Sequence, residues 1–187
     1  MQHDQWRQLP AQVRALPLDP RRALPIPFTT PVDPGTGQGD WGITSTEAVE
    51  RCWHERLCGV CGKGLPAWVA FLGGPGSADR WRGAYSDPWM HEDCAEASLT
   101  ACPYIARPKV PRISEPIKLA LVIPPGEVAG KQDAWVMVIC RRDLVTTTVQ
   151  RTKTGLVRLF RPGEGNPRRE RVFRYEGNRL VEQGQTT

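Results

Sequence analysis

Residues 57–62 read LCGVCG and residues 88–95 read PWMHEDCA, so two short segments each hold a pair of metal-binding side chains. Two residues separate the ligands within each pair, and the histidine stands thirty positions after the last cysteine of the first pair. Zinc prefers thiolate and imidazole ligands, and closed structural sites usually combine four of them in two locally presented pairs. We therefore predict one structural zinc ion bound by four residues: Cys58, Cys61, His91 and Cys94.

The chain between these pairs predicts the rest of a zinc module. Residues 67–87 have β-prone ends on either side of a turn rich in Gly, Pro and Ser, which is typical of a hairpin. Residues 89–101 predict a helix that Pro103 stops, and its first turn places His91 and Cys94 on one face. A knuckle, a hairpin and a helix with ligands in its first turn predict a treble-clef-like zinc finger.

A helix is also predicted before the first ligand pair, from Thr44 to about Leu57. Thr44 and Glu47 have the spacing of a capping box, in which two side chains satisfy backbone amides at the start of a helix. Val49, Trp53 and Leu57 fall on one face of this helix, and we predict that this face is buried.

The N-terminal segment is too rich in proline to form a helix or a central strand. Its prolines are Pro10, Pro17, Pro20, Pro25, Pro27, Pro31 and Pro34. We predict that residues 1–43 form an extended arm that either wraps the body or stays mobile, with Trp6, Phe28 and Trp41 as its anchors.

The C-terminal segment is predicted to be rich in strands. The β-prone stretches are residues 118–123, 134–141, 144–150, 155–161 and 171–182. Gly177 and Asn178 lie between two β-prone runs and predict a hairpin turn, and residues 134–141 are apolar on both alternating sets, which predicts a strand covered on both faces. The predicted fold is α+β: a Pro-rich arm over residues 1–43, a treble-clef-like zinc module over 44–107, and a basic, antiparallel β-sheet segment over 108–187.

Six cysteines could form three disulfides, but the first residues, MQHDQWRQLP, do not resemble an export signal. No run approaches the roughly 18 apolar residues that a membrane span requires. We therefore expect a cytoplasmic protein that does not bind a membrane and whose thiols are reduced. Cys52 and Cys140 are predicted to be core thiols, and Cys102 to be either a core thiol or an alternate metal ligand.

The zinc module resembles a family of small proteins encoded by actinobacteriophages and actinobacterial genomes. The family pattern is Cys-x-x-Cys-Gly, a Gly-Pro step, Pro-x-x-His-x-x-Cys-Ala and a later Cys-Pro. In this sequence the pattern falls on Cys58, Cys61, Gly62, Gly74, Pro75, Pro88, His91, Cys94, Ala95, Cys102 and Pro103. The resemblance covers little more than a quarter of the chain, and it implies a phage-related zinc protein in the cytoplasm of a host cell rather than a particular reaction.

The net charge of +5 arises in the C-terminal segment, where residues 108–187 hold fifteen basic and eight acidic residues. Such an excess can attract the phosphates of nucleic acid, although a solvated basic face without a partner is equally compatible with it. The predicted nucleic-acid ligands are Arg141, Arg142, Arg151, Lys153, Arg158, Arg168, Arg169, Arg171 and Arg174, with Phe173 or Tyr175 available for stacking on bases. We therefore expect a non-enzymatic accessory or regulatory protein that binds nucleic acid or a nucleic-acid-associated protein.

Two other functions compete with this interpretation. A protein-interaction module would use the Pro-rich arm or exposed tryptophans to bind a host or phage protein, such as an integrase, a polymerase or a defence protein, without DNA contact. A zinc-dependent hydrolase or nuclease is disfavoured because the predicted hairpin contains no histidine that could act as a base. An open zinc site, with Glu92 as proton carrier, would require one of the four ligands not to bind. We therefore predict no catalytic residues.

Overall fold

The computed structural model describes residues 8–108, 132–152 and 155–184. Helices and antiparallel sheets are both present, which agrees with the predicted α+β class. The helices are α1 Ala11–Arg14, α2 Thr46–Glu55, α3 Pro75–Ala78, α4 Glu92–Ala101 and α5 Pro103–Ala106, with a 3-10 turn over Arg142–Leu144. The strands are β1 Trp68–Gly73, β2 Ala134–Arg141, β3 Thr146–Thr152, β4 Gly155–Arg161, β5 Arg168–Glu176 and β6 Arg179–Gln183.

Four strands form the main antiparallel sheet in the order β1-β2-β5-β6, and β3 pairs with β4 in a separate two-stranded sheet. In the main sheet, Val138 lies between Phe71 of β1 and Glu170 of β5. Strands β5 and β6 form the predicted hairpin, in which Gly177 takes a φ of 61°. Glycine tolerates this left-handed conformation without the steric cost that a side chain would add.

Strand β2 is covered on both faces, as its two apolar sets predict, and every residue from Ala134 to Cys140 is buried. On one face, the ring of Trp135 packs edge-on against Tyr104 of α5, with ring centres 5.5 Å apart. We call this side of the main sheet the helix face. On the other side, the loop face, Phe71 of β1 stacks on Tyr85 with ring centres 4.8 Å apart.

The hairpin predicted over residues 67–87 is wrong, because only its first arm is a strand. Strand β1 pairs with β2 instead of folding back on the residues that follow it. Pro75 occupies the start of α3, where its fixed φ suits a helix, and α3 turns the chain away from β1. Later residues return only as isolated bridges, from Tyr85 to Phe160 and from Met90 to Ala70.

The boundaries of the two predicted helices are corrected as well. The capping residue of α2 is Ser45 rather than Thr44, because the Ser45 hydroxyl accepts a hydrogen bond from the Ala48 amide at 3.2 Å. Its fully buried residues are Val49 and Cys52, whereas Trp53 and Leu57 are half-buried and Leu57 lies beyond the helix end.

Helix α4 begins at Glu92, three residues later than predicted. The delay has a local cause: Met90 exchanges two backbone hydrogen bonds with Ala70 of β1, at 2.8 and 2.9 Å, and therefore stays extended. The helix ends at Ala101, as predicted from Pro103.

The described part of the N-terminal arm wraps the body and, contrary to the prediction that it holds no helix, forms the short helix α1 in the proline-free stretch after Pro10. Leu9 and Val13 are buried in the main core, and the Phe28 amide donates to the Val60 carbonyl at 2.8 Å. Two predicted features, the anchor Trp6 and the strand over residues 118–123, lie outside the described residues. Within the described residues, no helix combines the length and apolar character needed to cross a membrane.

Candidate metal centre

The four predicted ligands lie together, and their ligand atoms are all within 4.8 Å of one another. The Nδ1 atom of His91 is 3.4 Å from the Cys61 sulfur and 3.8 Å from the Cys94 sulfur. Tetrahedral ligands bound at about 2.0–2.3 Å from a metal stand about 3.3–3.8 Å apart. The three sulfurs are buried and the imidazole is half-buried. The cluster could therefore hold one four-coordinate metal ion.

A tight turn over residues 57–64 presents the first ligand pair. The Cys58 amide donates to the Lys63 carbonyl and the Gly62 amide to the Cys58 carbonyl, both at 2.8 Å. Gly62 closes the turn with a φ of 69°, which favours glycine over any residue with a side chain. Backbone hydrogen bonds of the turn therefore place Cys58 and Cys61 side by side.

The second pair is positioned by the main sheet and by α4. The bridge between Met90 and Ala70 fixes the chain just before His91, which takes an extended conformation at the cap of α4. The Ala95 amide donates to the His91 carbonyl at 3.0 Å, so Cys94 lies in the first turn of the helix. Backbone N–H groups without partners at a helix start favour the thiolate form of a nearby cysteine.

The two ligand segments touch each other directly. The Gly59 amide donates to the Trp89 carbonyl at 3.0 Å. A Cβ atom at Gly59 would meet the Pro88 ring at 2.7 Å, a separation at which something must move. This close approach explains why a glycine follows the first cysteine.

The backbone carbonyl of Gly64 selects the imidazole nitrogen that faces the sulfurs. It lies 3.0 Å from Nε2 of His91, which fits a hydrogen bond donated by the imidazole. Such a bond leaves Nδ1 as the unprotonated nitrogen, pointed toward Cys61 and Cys94. This partner of the ligand was not predicted, since a backbone carbonyl leaves no trace in residue type.

The thiols interact strongly with one another. Hydrogen bonds from the thiols of Cys61 and Cys94, with backbone amides, lower the pKa of Cys58 to about 3. Hydrogen bonding to Cys58 and Cys61 raises the pKa of the Cys94 thiol instead. Three buried sulfurs this close cannot all ionise unless a positive charge compensates them. A bound divalent cation would supply that charge.

The arm covers the outside of this cluster. The Gln12 side chain donates to the Cys94 sulfur at 3.9 Å and also to the carboxylate of Asp93. A Cβ atom at Gly62 would lie 2.9 Å from the ring of Phe28, so this ring packs directly on the knuckle. Phe28 is thus the anchor that the sequence predicts, whereas nothing in the sequence distinguishes Gln12 from other polar residues of the arm.

The remaining cysteines do not join the cluster. Cys52 and Cys140 are fully buried, and burial raises the pKa of each thiol to about 12. Cys102 is half-buried against the main core and is not among the four clustered ligands. The six cysteines, all within the described residues, form no disulfide.

The predicted nucleic-acid ligands are distributed over different surfaces. Because side chains alternate along a strand, Arg169 and Arg171 of β5 lie on the helix face, whereas Arg168 and Arg174 lie on the loop face. Lys153 lies outside the described residues. These residues therefore do not form one contiguous row.

Most of these arginines bind carboxylates of the protein itself. The ion pairs join Arg141 to Asp143 at 2.7 Å, Arg158 to Glu50 at 2.6 Å, Arg169 to Glu92 at 2.7 Å and Arg171 to Glu182 at 2.8 Å, with further contacts from Arg168 to Glu170 and from Arg171 to Glu96. Arg142 donates to the Leu65 carbonyl, and Arg151 and Arg174 are exposed.

Neither aromatic residue predicted to stack on bases is available for stacking. Phe173 is buried in β5. The Tyr175 hydroxyl donates to the Ile105 carbonyl and accepts from the Trp135 indole at 3.1 Å. Burial therefore removes Phe173, and hydroxyl contacts with α5 and β2 engage Tyr175.

Comparison with known proteins does not add a family to this description. No protein-family model matches the sequence, and neither a curated protein nor a solved structure gives a significant match.

Proposed function

We propose that the cluster binds one zinc ion as a closed structural site, and that the chain is a non-enzymatic zinc protein. The observation that carries this proposal is a complete set of three sulfurs and one imidazole nitrogen within 4.8 Å. Thiolate-rich tetrahedral sets select zinc among the common divalent ions, and a fourth protein ligand leaves no position for water. The knuckle over residues 57–64 and the start of α4 would then form the two halves of a treble-clef-like module, with β1 and α3 in place of its hairpin.

The surroundings of the cluster support a structural rather than a catalytic role. Glu92, the proton carrier that an open site would use, is held by Arg169 at 2.7 Å and faces Arg171 at 3.6 Å. Gln12 and Phe28 of the arm cover the ligands from outside. A catalytic metal needs an open coordination position and a free acid or base beside it.

We further propose that the protein is an accessory or regulatory protein, of the phage type that its motif resembles, which binds nucleic acid or a nucleic-acid-associated protein. The net charge of +5 supports this role, as do the exposed residues Arg151 and Arg174. The ion-paired arginines contribute little to this role, because a phosphate would have to displace carboxylates that already bind them.

One observation favours the competing role of protein docking without DNA contact. Val149 and Leu156 fall on the same face of the β3–β4 ribbon, and about half of each residue is exposed. Two neighbouring apolar side chains on an exposed ribbon suit a protein partner better than a phosphate backbone.

Two measurements test these proposals separately. Elemental analysis of the purified protein should give one zinc per chain, and Cys94→Ala should remove it. Fluorescence anisotropy with labelled oligonucleotides of about 20 nucleotides, single-stranded and duplex, should show affinity that falls steeply between about 50 and 200 mM salt. A zinc-loaded protein that binds neither oligonucleotide would keep the metal assignment and favour the docking role.

A further inference from the structure

A short turn after α3 presents three consecutive residues, Arg80, Trp81 and Arg82, to solvent. The Asp79 carboxylate accepts hydrogen bonds from the amides of Trp81 at 2.9 Å and Arg82 at 2.7 Å. The Gly83 amide donates back to the Asp79 carbonyl at 2.9 Å. The turn is therefore held by the Asp79 carboxylate and by one backbone hydrogen bond, while the next three side chains are exposed.

The base of the turn is tightly packed. A Cβ atom at Gly83 would lie 2.3 Å from the Ser77 carbonyl oxygen and 2.5 Å from that of Asp79. The guanidinium of Arg168 donates to the Ala78 carbonyl, which ties the end of α3 to β5. A rigid base means that little conformational entropy is lost when a partner binds the tip.

Trp81 is the most exposed large hydrophobic side chain of the described residues, with 67% of its surface accessible. A tryptophan in water usually marks a contact site, because its indole loses much unfavourable hydration when it is covered. Arg80 and Arg82 are also exposed, and neither makes a salt bridge or side-chain hydrogen bond within the described part of the chain. Hydrogen bonds from the backbone amides of Arg82 and Trp81 lower the pKa of Asp79, and the positive charge of Arg82 adds to this effect.

These two guanidinium groups differ from the arginines of the main sheet, most of which bind carboxylates. The turn also lies beside the loop face of the main sheet, because Arg168 contacts its base from that face. Arg174 lies on the same face of β5 by alternation. Arg179 of β6 lies opposite Glu176, again on the loop face. The exposed residues Arg174 and Arg179 therefore lie on the same side of the sheet as the turn, where Glu170 and Glu176 are acidic neighbours.

We propose that this basic-aromatic turn, residues 79–83, binds single-stranded nucleic acid. The indole of Trp81 would stack on one unpaired base, and Arg80 and Arg82 would bind the phosphates on either side of it. A duplex hides the faces of its bases, so an exposed indole at a protruding tip suits a single strand better. The inference rests on the proposed nucleic-acid role and assigns it to residues outside the basic C-terminal segment.

Anisotropy of a fluorescein-labelled oligothymidylate of about 15 nucleotides tests this assignment. Trp81→Ala should weaken binding about 10-fold or more, since stacking on an aromatic side chain typically contributes that much per base. The double variant Arg80→Gln/Arg82→Gln should also lower the slope of log affinity against log salt by about 1.4, since each phosphate contact on a single strand contributes about 0.7.

Matched controls separate the turn from general effects. Trp68→Ala removes another exposed tryptophan, 48% accessible, that lies in register with Arg141 on the helix face. Arg21→Gln/Arg22→Gln removes two exposed positive charges from the arm, and Asp19 contacts only the backbone amides of that pair. Both controls should bind the oligonucleotide within about 2-fold of the wild type, because surface residues outside a contact rarely matter.

The possible results decide between the two proposals. Wild-type binding that Trp81→Ala leaves unchanged overturns the turn as the site but keeps the nucleic-acid role. If the wild type binds duplex and single strand equally well and Trp81→Ala has no effect, the turn is again excluded as the site and the nucleic-acid role is kept. Failure of the wild type to bind any oligonucleotide overturns both proposals. Binding to anionic vesicles or to a poly-glutamate peptide would then identify the kind of partner that the turn binds instead.

Discussion

The carbonyl oxygen of Gly64 lies 3.0 Å from Nε2 of His91, so the end of the knuckle orients the imidazole that completes the ligand set. The ligands therefore do not form two independent pairs. The first pair and its turn position the only ligand that is not a sulfur, and a change in the knuckle should be felt at the histidine. This dependence makes the four ligands a cooperative unit.

Cys94→Ala should abolish binding of the metal and lower the free energy of unfolding by more than about 3 kcal/mol, because the site is built only in the folded chain. Metal content by elemental analysis and unfolding in urea measure the two effects. Cys102→Ala is the matched control, since this thiol is outside the cluster and should leave one metal ion per chain. A Cys94→Ala protein that is folded and still fully loaded would contradict the closed site.

Gly62→Ala should destabilise the protein by about 1–3 kcal/mol, since the new Cβ would face a φ of 69° and approach the Phe28 ring at 2.9 Å. Gly64→Ala makes the same chemical change in the same turn, but no atom lies within 4 Å of its Cβ and its φ is not positive. Urea denaturation of both variants gives the difference in their free energies of unfolding, which measures the joint cost of the positive φ and of the contact with the Phe28 ring. Equal stability of the two variants would show that Phe28 does not pack on the knuckle in solution.

Asp19 should stabilise the arm in a pH-dependent way. Burial opposes its ionisation, but hydrogen bonds from the Trp41 indole and from the amides of Gly39, Arg22 and Arg21 outweigh burial and lower its pKa from 3.8 to about 2. A carboxyl whose pKa is lower in the folded state stabilises that state above pH 3.8 and loses this contribution as the pH falls toward 2.

Asp19→Asn should therefore cost about 1 kcal/mol near neutral pH, after allowance for screening by solvent, and the difference from wild type should shrink between about pH 4 and pH 2. Both proteins share the same metal site, so loss of metal in acid cancels in the comparison. Fluorescence of Trp41, 3.0 Å from the carboxylate, can follow release of the arm. A difference that does not change with pH would assign the effect to packing instead.

The ion pair of Arg158 and Glu50 should couple the β3–β4 ribbon to α2. Only 13% of the Arg158 side chain is exposed, the pair is 2.6 Å apart, and the guanidinium lies over the Trp53 ring. A double-mutant cycle with Arg158→Gln and Glu50→Gln should give a coupling free energy of about 1–2 kcal/mol. The exposed pair of Arg141 and Asp143 is the control, and its coupling should stay below about 0.5 kcal/mol.

Local features of the sequence predict the ligand cluster well, because ligand spacing and glycine positions act over a few residues. Cys58 and Cys61 share one turn, and His91 and Cys94 share the start of one helix. The burial of strand β2 on both faces is predicted equally well, since both of its alternating sets of side chains are apolar.

Local sequence patterns do not predict features that depend on residues far away in the chain. Strand β1 resembles half of a hairpin, but its partner β2 begins only at Ala134, 61 positions after Gly73. No local pattern in the sequence encodes a pairing over that separation. 

The arginines illustrate the same limit, because the residue type shows a positive charge but not the carboxylate that binds it. Arg169 and Arg171 contact Glu92 and Glu96 of α4, more than 70 residues earlier in the chain. The predicted hairpin places Arg80, Trp81 and Arg82 after its Gly, Pro and Ser turn, so the exposed turn that these three residues form is not predicted from the sequence.

The way the arm covers the metal cluster has a consequence for synthesis on the ribosome. Phe28 and Gln12 leave the ribosome before the turn and helix on which they rest, so the arm has no surface to dock on until Cys94 has followed. Domains generally fold as units once their contacting parts are available, and exposed apolar segments are at risk of aggregation until then. The thiols of the candidate metal centre should therefore be accessible to a metal ion during synthesis and become shielded once the arm docks on them.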